Sequence, residues 1–227
     1  MRIVFDVGGS VLCPEGVPDT GYVKRLVKFL VSLKREKHKI IIVTGGGRAV
    51  KNYINSARAF KPPEELLDYM GILGTRINAL FMISALGTHA YRKIVKNREG
   101  LEHGIDSGKI VVMGGTVPGQ TTDAVSMAAA TLLGADLILI MTDVKGIYNK
   151  DPDKYKNVKM IKKVTPKELH KMLKVKKHRA GLLTVIDPVA VEMIEKVKIK
   201  TIVLNGENLE NVKKAIEGKK FVGTLIG

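Results

Sequence analysis

At 227 residues with 45% hydrophobic content, the chain is long enough to bury one large core, and no composition shift marks a linker. No apolar run approaches the roughly 18 to 20 residues of a membrane span, and the single Cys13 excludes an internal disulfide, so a membrane-free, cytoplasmic protein is expected. The 38 Lys and Arg against 22 Asp and Glu leave a net charge of +16, which points to anionic partners; aromatics at 5% and an absence of Trp make nucleic acid a weaker choice than a phosphate-rich small ligand.

Met1 to Asp6 runs straight into the first strand candidate, Ile3 to Val7, with no signal-peptide pattern. An amphipathic helix over Asp19 to Glu36 follows, with Val23, Leu26, Val27, Leu30 and Leu33 on one face. Lys39 to Thr44 reads as a second strand, then Ala49 to Phe60 and Glu64 to Leu86 as helices. A weak strand is expected near Ala90 to Val95 and a firmer one over Ile110 to Met113. Asp123 to Leu133 is a helix with Thr121 or Thr122 as its N-cap, and Leu137 to Thr142 a strand. A hairpin around Ile147 to Lys162 precedes helices over Pro166 to Leu173 and Pro188 to Val197. Strand Thr201 to Leu204, helix Leu209 to Ile216 and a closing strand over Val222 to Ile226 complete the chain. The alternation predicts one domain over residues 1–227, a three-layer α/β/α sandwich on a mainly parallel open sheet.

Three predicted strands end in glycine: Gly8-Gly9-Ser10, Gly45-Gly46-Gly47 and Gly114-Gly115. Without a Cβ, backbone N–H groups can converge on a phosphate, and three such loops could surround a chain of phosphates. The third, continuing through Thr116 to Thr121, has P-loop glycine spacing but carries Gln120 where the phosphate-binding lysine belongs, which removes the Walker reading. The five histidines show no metal spacing, and neither Ser10 nor Ser107 lies in a nucleophile elbow, so no metal centre and no triad is expected.

The tract Gly114 to Pro152 resembles the amino acid kinase superfamily, and within it the UMP kinases. The carrying residues are Pro118, Thr121-Thr122-Asp123-Ala124, Ala135-Asp136-Leu137, Thr142-Asp143-Val144-Lys145-Gly146-Ile147-Tyr148 and Asp151-Pro152. Upstream, Asp68 to Leu73 with Thr75 and Asn78 is similar to the segment that faces the acceptor's ribose, and Asp6 to Ser10 is similar to the archaeal branch. The resemblance implies phosphoryl transfer from ATP, with Mg²⁺, to UMP in pyrimidine nucleotide synthesis, by a homohexamer. It implies an acceptor-binding part over roughly residues 1–135 and an ATP-binding part over roughly 136–227, with Gly9, Ser10, Gly47 and Lys51 at the ATP phosphates, and Thr142, Asp143, Tyr148 and Asp151 at the adenosine end. Gly46, Asp68 and the loop Thr116, Val117, Pro118, Gly119, Gln120, Thr121 and Thr122 would hold the acceptor, with Lys51, Asp123, Gly9 and Ser10 as the catalytic set.

Two departures stand out. The family's usual lysine is replaced by Asp6, and a second is missing near Thr184, in the otherwise similar stretch Gly181 to Ala190. Their charge-neutralising role would fall to Mg²⁺, Lys51, Arg48 or Arg76. Competing readings are a kinase acting on isopentenyl phosphate, an acylated amino acid or carbamate, a nucleic-acid binder, and a non-catalytic nucleotide sensor.

Overall fold

The structure is a computed structural model and describes residues 1–150, 155–176 and 186–227. In chain order its elements are β1 (Arg2–Val7), α1 (Gly9–Leu12), α2 (Thr20–Arg35), β2 (Lys39–Thr44), α3 (Gly47–Ala57), α4 (Glu64–Leu86), α5 (Arg98–Asp106) and β3 (Val111–Met113). Then come α6 (Thr122–Leu133), β4 (Leu137–Thr142), β5 (Lys163–Val164), α7 (Pro166–Lys176), α8 (Pro188–Val197), β6 (Lys200–Asn205), α9 (Leu209–Ile216) and β7 (Thr224–Ile226).

Among the described residues the strands form one sheet in the order β3-β2-β1-β4-β6-β7-β5. All pairings are parallel except β6 with β7. β1, β2, β4 and β6 are buried on both faces, which is why their apolar runs are continuous rather than alternating. Ile3, Phe5 and Val7 of β1 pack under α2, α4 and α9, while Val4 packs under α5, α6 and α8, giving the expected three layers.

Most helix limits follow local chemistry. Asp19 caps α2 by accepting from Tyr22 N at 2.9 Å, Thr121 caps α6, and Asp187 caps α8 ahead of Pro188. Three expectations change. The strand near Ala90 to Val95 reduces to single bridges, Ala90 with Ile110 and Val95 with Met113. The hairpin is present as a Tyr148–Met160 bridge, and it feeds the two-residue β5, which pairs with β7. Helix α5 was not expected at all. Finally, Glu64–His89 is, among the described residues, the one helical run long and apolar enough to cross a membrane. Here one face of that run is core: Leu67, Ile72, Ala79, Met82, Ile83 and Leu86 are buried.

The order in which successive strands join the sheet reverses at β1, whose neighbours β2 and β4 both run parallel to it. The strands before it in the sheet, β2 and β3, carry one half of the molecule, and those after it, β4 and β6, carry the other. In an open parallel sheet the crevice at such a switch point is where ligands bind. Its shape here depends on glycine. A Cβ on Gly9 would lie 2.0 Å from Gly47 N, and one on Gly45 would lie 2.5 Å from Gly9 N. Gly9→Ala is therefore expected to destabilise the fold by at least about 3 kcal/mol, because backbone must move to admit one methyl group. Urea unfolding measures this, and a loss below about 1 kcal/mol would mean the two loops are not in contact.

Candidate active site

The exit of β1 is fastened on both sides. Gly8 N donates to Met141 O of β4 at 2.8 Å, and Val7 O accepts from Gly45 N at 2.9 Å. Gly47 takes a positive φ of +79°, and a Cβ there would lie 2.8 Å from Gly9 O. The first turns of α1 and α3 thus meet backbone to backbone. First-turn N–H groups have no acceptor within their own helix, so those of Gly9, Ser10, Gly47 and Arg48 are left to serve a ligand or water. Asn78, buried on α4, donates to Gly45 O at 2.7 Å and Gly46 O at 3.2 Å, which holds these carbonyls toward the core. What remains is a bare floor suited to an anion.

Next to this floor lies a cavity of about 430 Å³ between α3, α4 and the loop entering α6. Gly46 and Gly47 form part of its lining, together with Lys51, Asp68, Gln120 and Thr121. Of the expected acceptor loop, Val117, Gln120, Thr121 and Thr122 line it, whereas Thr116, Pro118 and Gly119 do not. Thr116 instead donates to Gln120 Oε1 at 3.2 Å, and Gly119, at φ +78°, makes the turn. Asp68 Oδ2 accepts from Gly119 N at 2.8 Å, and Arg76 donates to Gly115 O and Thr116 O, both at 3.0 Å. Both side chains therefore tether the loop to α4. Arg76 is already committed there, which argues against it as substitute for a missing lysine. Lys51 is exposed on the cavity wall, on the acceptor side of the glycine floor.

The third glycine pair needs correction. A Cβ on Gly114 would lie 2.8 Å from Thr75 C and Oγ1, and Gly115 N donates to Thr75 Oγ1 at 2.7 Å. These glycines let the loop approach α4, and the Gly115 amide is occupied, so they form no third phosphate cradle.

On the other side of β1, Thr142 ends β4 with its hydroxyl donating to Asp143 Oδ1 at 2.9 Å. Asn205 Nδ2 donates to Asp143 O at 2.8 Å, and Gly206 N to Thr142 O at 2.9 Å, fixing this loop to the end of β6. Tyr148 follows on the bridged hairpin. Asp151 lies outside the described residues, as does the first half, 181–185, of the stretch Gly181 to Ala190.

Asp123, at the start of α6, turns its Oδ2 to Asp187 N at 2.8 Å, while Thr121 donates to Asp187 Oδ2 at 2.6 Å. Asp123 thus organises the N-termini of α6 and α8. Beside it on β1 is Asp6, only 2% exposed. Burial first, and then the Asp123 charge, push the Asp6 carboxyl well above the usual carboxylate range. Asp123 is also raised, by burial, against the lowering effect of the Asp187 N–H. Reading by residue type missed Asn78 and Thr75 as loop organisers, although both sit in the segment Asp68 to Asn78 that carried the family likeness.

The model of the amino acid kinase family matches residues 1–205. A uridylate kinase of Methanocaldococcus jannaschii is 40% identical over 228 residues, covering 100% of this chain and 99% of that one. One from Pyrococcus abyssi is 42% identical, covering 96% of each. The crystal structure of uridylate kinase from Archaeoglobus fulgidus superposes with a TM-score of 0.87 at 34% identity, covering 100% of both chains. With this sheet order, these glycine loops and full-length similarity at such identity, the chain belongs to the amino acid kinase family and stands among its uridylate kinases.

Proposed function

We propose that the chain transfers the γ-phosphoryl group of ATP to UMP, yielding UDP and ADP. One observation carries this reading: Gly47 lines the Asp68 cavity and packs backbone to backbone on Gly9, while the adjoining Gly8 lies against Met141 and Thr142 at the end of β4, so one glycine floor connects the two sides. Two phosphate-bearing molecules laid from opposite sides would bring their phosphates together there. UMP would occupy the cavity, its phosphate toward Gly46, Thr121 and Thr122 and its ribose toward Asp68. ATP would lie over Thr142, Asp143, Tyr148 and Asp151, its phosphates on Gly9, Ser10 and Gly47.

In the transfer, an oxygen of the UMP phosphate forms a bond to the γ-phosphorus as the bond to the β–γ bridging oxygen breaks. The transition state spreads charge over equatorial oxygens, so alignment and fixed N–H donors supply most of the catalysis. The acceptor is already anionic at neutral pH, so no general base is required. A Mg²⁺ would be carried in on the nucleotide phosphates with its own water. When bound, that ion supplies charge neutralisation between the phosphates. Lys51, at the cavity wall, would add to it. Lys51, Gln120, Thr121 and Asp68 place polar groups beside an apolar wall of Ile54 and Ile72, a mixture that suits the phosphate, ribose and flat base of a nucleotide.

A homo-oligomer fits one further feature. Leu66, Tyr69, Leu73, Ile77 and Leu80 fall on one side of α4 at helical spacing and are 51, 48, 43, 68 and 52% exposed. A second copy would cover this stripe, which shares its helix with Asp68, and a homohexamer built on such dimers, working in the cytoplasm on pyrimidine nucleotide synthesis, completes the proposal.

Product identification after incubation with ATP, Mg²⁺ and each nucleoside monophosphate tests the activity. UDP should form from UMP, with purine monophosphates slower by about tenfold or more; equal turnover of AMP, or ADP release without UDP, would contradict it. Asp68→Ala is expected to raise the KM for UMP by about tenfold or more while that for ATP stays within about twofold. Equal rises in both would remove Asp68 from the acceptor side. Ile77→Glu should give a smaller species in sedimentation velocity, and an unchanged mass would exclude the α4 stripe as the contact.

A further inference from the structure

Asp6 lies two residues before Gly8, and its side chain leaves the sheet on the side of α6 and α8. Its neighbours across the ladder are Val43 on β2 and Ile140 on β4, both apolar. From α6 it is faced by Asp123 and Ser126, and through Asp123 by Asp187 at the N-terminus of α8. Asp6 Oδ2 and Ser126 Oγ are both buried without a hydrogen-bonding partner of good geometry. Asp123, in contrast, receives the Asp187 N–H.

Two carboxylates in contact and shielded from water do not both ionise, and the one that already has a donor keeps the charge. We propose that Asp6 is the neutral acid of this pair and donates its hydrogen to Asp123, and that this one proton positions Asp123, and with it the starts of α6 and α8, beside the transferring phosphates. The raised carboxyl of Asp6, caused by burial and the Asp123 charge, agrees with that assignment. Asp6 is a positioning residue and touches no substrate. Its consequence for catalysis rests on the phosphoryl-transfer reading above; its protonation state does not.

The arrangement gives the site a pH limit. While Asp6 is neutral, the pair presents one negative charge to two anionic substrates. Its ionisation adds a second, repels the phosphates and breaks the hydrogen bond that holds Asp123. Stability follows the same proton. With its folded value raised above the ordinary 3.8, Asp6 contributes stability that is fully present below that value and is lost as pH rises through the folded value.

Carbon-13 NMR of the aspartate carboxyls in the full chain, with Asp6→Asn identifying the resonance, tests the protonation directly. The Asp6 signal should remain that of the acid at neutral pH, and titration near the ordinary value would overturn the proposal. For the role, Asp6→Ala should lower kcat by about tenfold or more, since Asp123 loses its donor. Asp6→Asn, whose amide replaces the O–H, should recover most of that loss and lack the alkaline limb of the wild-type kcat profile. An Asn variant as impaired as the Ala variant, or one that keeps the alkaline limb, would also overturn it. A wild-type chain inactive on UMP would defeat the functional reading alone, and the NMR titration would still decide the proton.

Discussion

The contact of backbone on backbone between the exits of β1 and β2 governs the rest of this molecule. Gly9, Gly45 and Gly47 approach so closely that no side chain fits between them. Parallel strands of one sheet always bring their ends together, but ordinary residues would roof the space with side chains. Here the space is left as a floor of N–H groups, and two helices start from it. Such a floor would offer a polyphosphate main-chain donors fixed in place before any ligand arrives, with Lys51 and a nucleotide-borne cation left to supply charge.

Holding such a floor requires supports around it, and these come from α4. Asn78 fixes the carbonyls of Gly45 and Gly46, Thr75 engages both Thr44 Oγ1 through its own carbonyl and Gly115 N through its hydroxyl, and Arg76 grips Gly115 and Thr116. One helix thereby sets the geometry of the glycine loop and of the acceptor loop at once. The same helix presents Asp68 to the cavity and an apolar stripe to solvent. Contact with a second copy along that stripe would bear on the acceptor cavity through a rigid element, which gives assembly a physical route to activity.

Sequence patterns located much of this, for identifiable reasons. The limits of β2, β4, α4, α8 and α9 match their expected ranges because apolar runs and caps bound them sharply. Helix α5 escaped because Arg98–Asp106 is largely polar, with Leu101 and Gly104 as its buried residues. The third glycine loop was misread because a glycine that admits a phosphate and one that admits a helix look alike in sequence. Only the neighbour, Thr75, distinguishes them. Asp6 was visible as a departure from the family, but its partner Asp123 is brought to it by the crossing of α6 over β1, a contact no local pattern announces. Asp151 and residues 181–185 remain expectations from family likeness.

The central claim is that UMP and ATP meet phosphate to phosphate over Gly9 and Gly47. A crystal structure with UMP and a non-hydrolysable ATP analogue bound together measures this directly. The account predicts the UMP phosphate beside Gly46 and Thr122, in line with the γ-phosphate lying on Gly9, Ser10 and Gly47. Either nucleotide seated away from that floor, or the two phosphates directed apart, would contradict it.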